Sequence, residues 1–270
     1  MHQLHDGVDY AGKEIDETGK EKKPTMSNQV QGTVDKVVAC YEGKNKDTVI
    51  LAAYLHKCLE VKRIDPKELI EVGKDENGKS IKVLPYTLSD IEKMFGSDVK
   101  DIVSDLSSEP TGDALDKKIA AFKQKNPNTS LSKKEIEWTV LADWATGLSK
   151  EAQAILLAEK WQNYIVSTKN PNEEKPIEWH ERYVRTRWIM IETIRKASFD
   201  RMMKNEKSMT EDEKRKEKSL LRLCAGCEQA KENCLEALFY ERDLQIHTDA
   251  QHFAAVIANV ANGKKTKSVE

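Results

Sequence analysis

No apolar run in this chain approaches the roughly 20 residues that a bilayer-spanning helix requires, so no membrane span is expected. The opening MHQLHDGVDY lacks the apolar core of a secretory signal, and the expected location is the cytoplasm. Charge of one sign is missing too: 44 Lys plus Arg against 46 Asp plus Glu leave a net charge of -2. That balance does not supply the broad positive field of a general nucleic-acid binder. The five cysteines are odd in number and sit in helical stretches rather than in a spaced framework, so reduced thiols are expected and disulfides are not. There is no internal repeat.

What the chain does have is helical periodicity over most of its length, and the expected fold class is all-α. Residues 1 to 12 read as a short helix, followed by a polar, glycine-punctuated loop ending at Pro24. Val30, Val34, Val37 and Val38 recur at helical spacing from Ser27 to near Gly43. The segment Thr48 to Val61, TVILAAYLHKCLEV, is apolar nearly all round, which predicts a helix at the centre of the domain. Residues 73 to 86 are polar and predict a small hairpin or an ordered loop.

Thr87 opens a helix stopped by Gly96, and DVKDIVSDL continues as another until the break at Ser107 to Thr111. Ser132 with Glu135 and Thr210 with Glu213 have the spacing of capping boxes, and Ser149 that of an N-cap for EAQAILLAEKWQNYIV. A loop at 170 to 176 precedes a long helix from Ile177 to about Met203. The helix after Thr210 is expected to reach about Asp243, with a last amphipathic stretch AQHFAAVIANVA beyond it.

Three segments carry a resemblance. They are LHKCLEV, then TLSDIEKMFGSDVKDIVSDLS, then LSKEAQAILLAEKWQN at residues 148 to 163. In order and spacing this chain resembles HD-domain hydrolases of the RelA/SpoT type, including the small alarmone hydrolases. The resemblance covers roughly residues 1 to 195 and implies an HD-like helical bundle, with 196 to 270 as a helical extension packing on it. It also implies a site in which two His and two Asp hold a divalent ion that orients a nucleotide and activates water.

Residue by residue, that motif is degenerate here. The first histidine falls near Asn28, the second is kept as His56, and its aspartate partner is Lys57. The last aspartate is Glu159, followed by Asn163, and the family's acidic pair becomes Glu60 and Val61. An ammonium at Lys57 would stand where a metal's charge belongs, leaving at most His56 and Glu159 as ligands. Lys57, Glu60 and Glu159 are therefore expected to form a buried ion cluster that replaces the metal. A sharper reading has Lys57, with Asn28, Trp161, Asn163 and the basic run Lys20 to Lys23, binding nucleotide phosphates.

Weaker signals have plainer readings. His5 with Asp6 spells HD but lies outside any apolar helix, and Asp143 in VLADWA reads as exposed or supporting. Cys224, Cys227 and Cys234 share one helical face; a zinc site would need His247 across a turn, and a packing stripe is the simpler reading. The run 211 to 218 is of mixed sign and reads as a solvated helix start. Trp138, Trp144, Trp161, Trp179 and Trp188 read as core, with Trp161 turned toward the pocket.

The leading expectation is an inactive HD-hydrolase-like protein, with no cofactor, that binds a purine nucleotide, an alarmone-like ligand or a partner protein in the remnant pocket. A divergent nucleotide pyrophosphohydrolase that keeps Mn²⁺ through a rearranged ligand set, His56, Glu159 and a histidine from the N-terminal helix, is the enzyme alternative. A structural module that forms a homo-oligomer or docks a protein partner through its C-terminal helices is the third.

Overall fold

The structure, a computed structural model, describes the backbone of residues 14–15, 21–22, 26–57, 59, 70–74, 80–83, 87–169 and 177–261. Side chains are described for 28–57, 59, 87–167, 177 and 180–240. The expected helix at 1 to 12, the side chains of the Lys20 to Lys23 run, Glu60, Val61, the loop at 170 to 176 and the Trp179 ring lie outside these residues.

The protein is all-α, with two short antiparallel hairpins in addition to the helices among the described residues. In chain order these are β1 (Glu14–Ile15) paired with β2 (Glu21–Lys22), α1 (Met26–Cys40), α2 (Lys46–Leu55), and β3 (Ile70–Lys74) paired with β4 (Ser80–Val83). Then come α3 (Leu88–Phe95), α4 (Ser97–Ser107), α5 (Gly112–Lys125), α6 (Lys133–Gly147), α7 (Lys150–Lys169), α8 (Ile177–Asn205) and α9 (Glu211–Ala261). No helix of the described residues is long and apolar enough to cross a membrane.

The starts of these helices are written locally. Thr87 and Ser132 each accept a hydrogen bond from the backbone N–H three residues on, and Asp90 and Glu135 reach back to the cap. Thr210 with Glu213 does the same for α9. Ser149 Oγ accepts from the Ala152 amide at 3.3 Å at the start of α7. Gly96, at φ 89°, stops α3 and turns the chain directly into α4, a left-handed conformation that a side chain would strain.

α7, not the Thr48 to Val61 segment, is the central helix. Ala152 to Lys160 are buried without interruption, whereas Leu51 of α2 is exposed. Four of these nine positions, Ala152, Gln153, Ala154 and Ala158, are alanine or glutamine, small or polar residues that let neighbouring helices approach on several sides. α9 and α1 pack along α7, and α8 packs on α9. Where α9 passes Trp161 of α7, a Cβ added to Gly226 would overlap the indole ring, so glycine is required there.

Two expected borders move. α2 ends at Leu55, so His56 and Lys57 lie just past the helix rather than inside it. The division at 195 falls inside α8, and Leu220, Leu223, Cys224, Cys227 and Cys234 of α9 are buried in the same cluster as Val30 of α1 and Ile155 of α7. Residues 196 to 238 thus complete the core. A smaller cluster of Ile119, Ile136 and Val140 joins α5 to α6.

The N-terminal end of α9 also clamps the loop between α1 and α2. Lys44 N–H donates to Asp212 at 2.7 Å, Glu42 N–H to Ser219 Oγ at 3.0 Å, and Lys216 Nζ lies 2.8 Å from Glu151, which also accepts from Asn45.

Candidate functional site

His56, Lys57 and Glu159 do come together. α7 carries Glu159 on the side facing the end of α2, and because α2 stops at Leu55 the next two side chains are free to turn toward it. Lys57 Nζ stands 2.6 Å from Glu159 Oε1, with the two side chains only 11% and 9% exposed. Lys160 Nζ, on the following residue, lies 3.2 Å from the other oxygen, and its side chain is 6% exposed. A single buried carboxylate is thus held between two ammonium groups. Burial pushes the Glu159 carboxyl up, but the charges of Lys160 and Lys57 outweigh it and hold it well below the usual range.

His56 is buried beside this pair. Its Nδ1–H donates to the Ala53 carbonyl at 2.5 Å, which satisfies one of the orphan carbonyls at the end of α2 and fixes the tautomer. The other nitrogen, Nε2, has no hydrogen-bond partner among the described residues. Burial, reinforced by the Lys57 charge and opposed by Glu159 and the Ala53 bond, lowers its pKa to about 4. The imidazole is therefore neutral at pH 7.

The sign of the consequence is fixed. A histidine whose folded pKa lies below its ordinary 6.5 binds its proton more readily when unfolded, so stability is intact above about 6.5 and falls as pH drops toward 4. The loss over that window is about 3 kcal/mol. Urea unfolding between pH 7 and pH 4.5 checks this, and His56→Leu is expected to flatten the profile there.

Asn163, one turn beyond Glu159, accepts a hydrogen bond from Gln29 Nε2. Gln29 is buried, while its neighbour Asn28, the expected residue, is exposed. Trp161 is corrected too. Two residues on a helix turn through about 200°, which takes Trp161 off the Glu159 and Asn163 face. Its ring instead lies against Gly226, with Lys36 Nζ 5.4 Å from its centroid.

Reading the sequence alone missed Gln29 and Lys160. Gln29 and Thr33 flank the valine stripe of α1 at helical spacing, a signal for polar residues aimed inward. Lys160 has no comparable signal, since an ammonium beside a carboxylate is ordinary on a solvated helix.

A divalent ion does not fit this donor set. Both Glu159 oxygens are engaged by ammonium groups, which among the described residues leaves the His56 imidazole alone. Among the described residues no group of three His, Cys, Asp or Glu is placed to share a metal ion.

The other sequence signals resolve as packing. Asp143 is exposed. Cys224, Cys227 and Cys234 are buried in the core; Cys227 Sγ donates to the Leu157 carbonyl at 3.2 Å, and burial pushes the Cys224 thiol up to about 12. Trp144 Nε1 donates to Ser108 Oγ at 3.0 Å, and Lys231 Nζ lies 4.1 Å above the Trp188 ring.

Compared with known proteins, the chain matches no family model, no curated protein and no solved structure.

Proposed function

We propose that this protein is an HD-hydrolase-like scaffold without turnover that binds a phosphorylated purine nucleotide beside His56, Lys57, Glu159 and Asn163. The observation that carries the reading is the 2.6 Å contact between Lys57 and Glu159, an ammonium occupying the position that the resemblance gives to a metal. A cation built into the chain cannot activate water as a Lewis acid does. It does supply, together with Lys160, a buried positive locus suited to phosphate oxygens. The Nε2 lone pair of His56 adds an acceptor for a hydroxyl or N–H of the same ligand.

The test is thermal unfolding of the full chain against adenosine and guanosine di- and triphosphates and a guanosine alarmone, each with and without Mn²⁺, beside metal analysis of the purified protein. At a hundredfold excess over Kd, a bound nucleotide raises Tm by about 5 °C. The expected result is a rise that needs no Mn²⁺ and is lost in Lys57→Met. A rise that requires Mn²⁺ and is accompanied by phosphate or pyrophosphate release would establish a hydrolase instead. No rise with any nucleotide would leave the protein an interaction module.

A further inference from the structure

α6 and α8 pack side by side, and a surface groove of about 320 Å³ opens between them. Trp138 of α6 forms one wall, and Glu181, Arg182, Arg185, Thr186 and Ile189 of α8 form the other. The lining is mostly apolar, and Trp138 is half-buried while Ile189 is exposed. Positions 182, 185, 186 and 189 follow at intervals of three and four, so α8 presents them along one face.

The two guanidinium groups differ in what they already hold. Arg185 donates through Nε and Nη2 to one oxygen of Glu181, at 3.1 and 3.0 Å. Arg182 is exposed and forms no ion pair among the described residues. Thr186 Oγ1 is committed to the Arg182 carbonyl at 2.7 Å. The groove therefore offers one uncommitted cation at the mouth of an aromatic and aliphatic slot. No residue of it belongs to the His56 site.

We infer that this groove is a second binding site, for a small aromatic anion such as an aryl carboxylate or an aryl phosphate. The ring lies between Trp138 and Ile189, and the anionic group takes a charge-assisted hydrogen bond from Arg182. The size favours this class over a protein partner: ligand sites begin at about 300 Å³, whereas a stable protein interface needs about 800 Å² on each side.

The test is calorimetric titration of the full chain with 1-naphthyl phosphate and, in parallel, with neutral 1-naphthol. The expected result is one saturable site for the phosphate, weakened about tenfold in the surface variant Arg182→Gln, with naphthol weaker by a similar factor. Lys57→Met leaves this binding unchanged, which separates it from the nucleotide site. Absence of saturable binding overturns the inference, as does equal affinity for the phosphate and naphthol or for wild type and Arg182→Gln. Loss of binding in Lys57→Met overturns it as well, by moving the phosphate to the other site.

Discussion

Glu159→Ala is expected to destabilise the protein by about 3–5 kcal/mol, because it strands two buried ammonium groups that share one carboxylate. The side chains of Lys57 and Lys160 are 11% and 6% exposed, so neither reaches water without displacing its neighbours. Lys57→Met should cost less, since Glu159 keeps Lys160 as a partner at 3.2 Å. The double variant Lys57→Met/Glu159→Leu tests the explanation rather than the magnitude. Replacing a buried ion pair by apolar groups of similar volume is often close to neutral, so it should recover the part of the loss that comes from stranding Lys57, while Lys160 stays buried without its carboxylate. Urea unfolding of the four proteins at pH 7 gives the comparison. A double variant no more stable than Glu159→Ala would show that the pair is not the source of the effect.

Glu217 is the second position where one substitution should act strongly. It is fully buried where α7, α8 and α9 meet. Arg201 grips both oxygens at 2.7 and 3.1 Å, Lys150 Nζ lies 2.9 Å away, and Ser198 Oγ donates at 2.5 Å. Glu217→Ala is expected to cost about 2–4 kcal/mol, less than Glu159→Ala, because an unpaired Arg201 or Lys150 can turn outward to water. Glu217→Gln keeps the volume and part of the hydrogen bonding and should cost roughly half as much.

The pH dependence separates Glu217 from His56. Burial raises the Glu217 carboxyl, but the bonds from Arg201, Ser198 and Lys150 win and hold it below its ordinary 4.5. Its stabilisation is therefore present above about pH 4.5 and is lost as pH falls further, beneath the window in which His56 acts. Glu217→Ala should flatten the acid limb below that point and leave the limb between 6.5 and 4.5 unchanged. Thermal unfolding scanned across pH distinguishes the two limbs.

Features that close within three residues were legible in the sequence. The boxes at Ser132 and Thr210 and the helix start at Thr87 appear as written, because cap and partner satisfy each other without help from the rest of the fold. The polar excursion at 73 to 86 contains part of a hairpin, whose strands are Ile70–Lys74 and Ser80–Val83.

What depended on distant partners was not legible. α5 escaped notice because only Ile119 of its residues is buried, too little for a periodic signal in so charged a segment. The end of α2 depends on the His56 ring competing for a backbone carbonyl, and the central place of α7 depends on what packs against its alanines. The pairing of Gln29 with Asn163 spans 134 residues. At the candidate site, His56, Lys57 and Glu159 are neighbours as expected, while Lys160 carried no signal and Trp161 is taken off their face by the turn of the helix.

The part that α9 plays in the core sets an order of events during synthesis. Until residues as far as Leu238 have been added, the flank of α7 that α9 covers has nothing to lie against, and α8 and α1 wait half covered beside it. A nascent chain of this protein should therefore linger on chaperones, and premature stop codons upstream of that leucine should yield aggregates rather than shortened, working molecules.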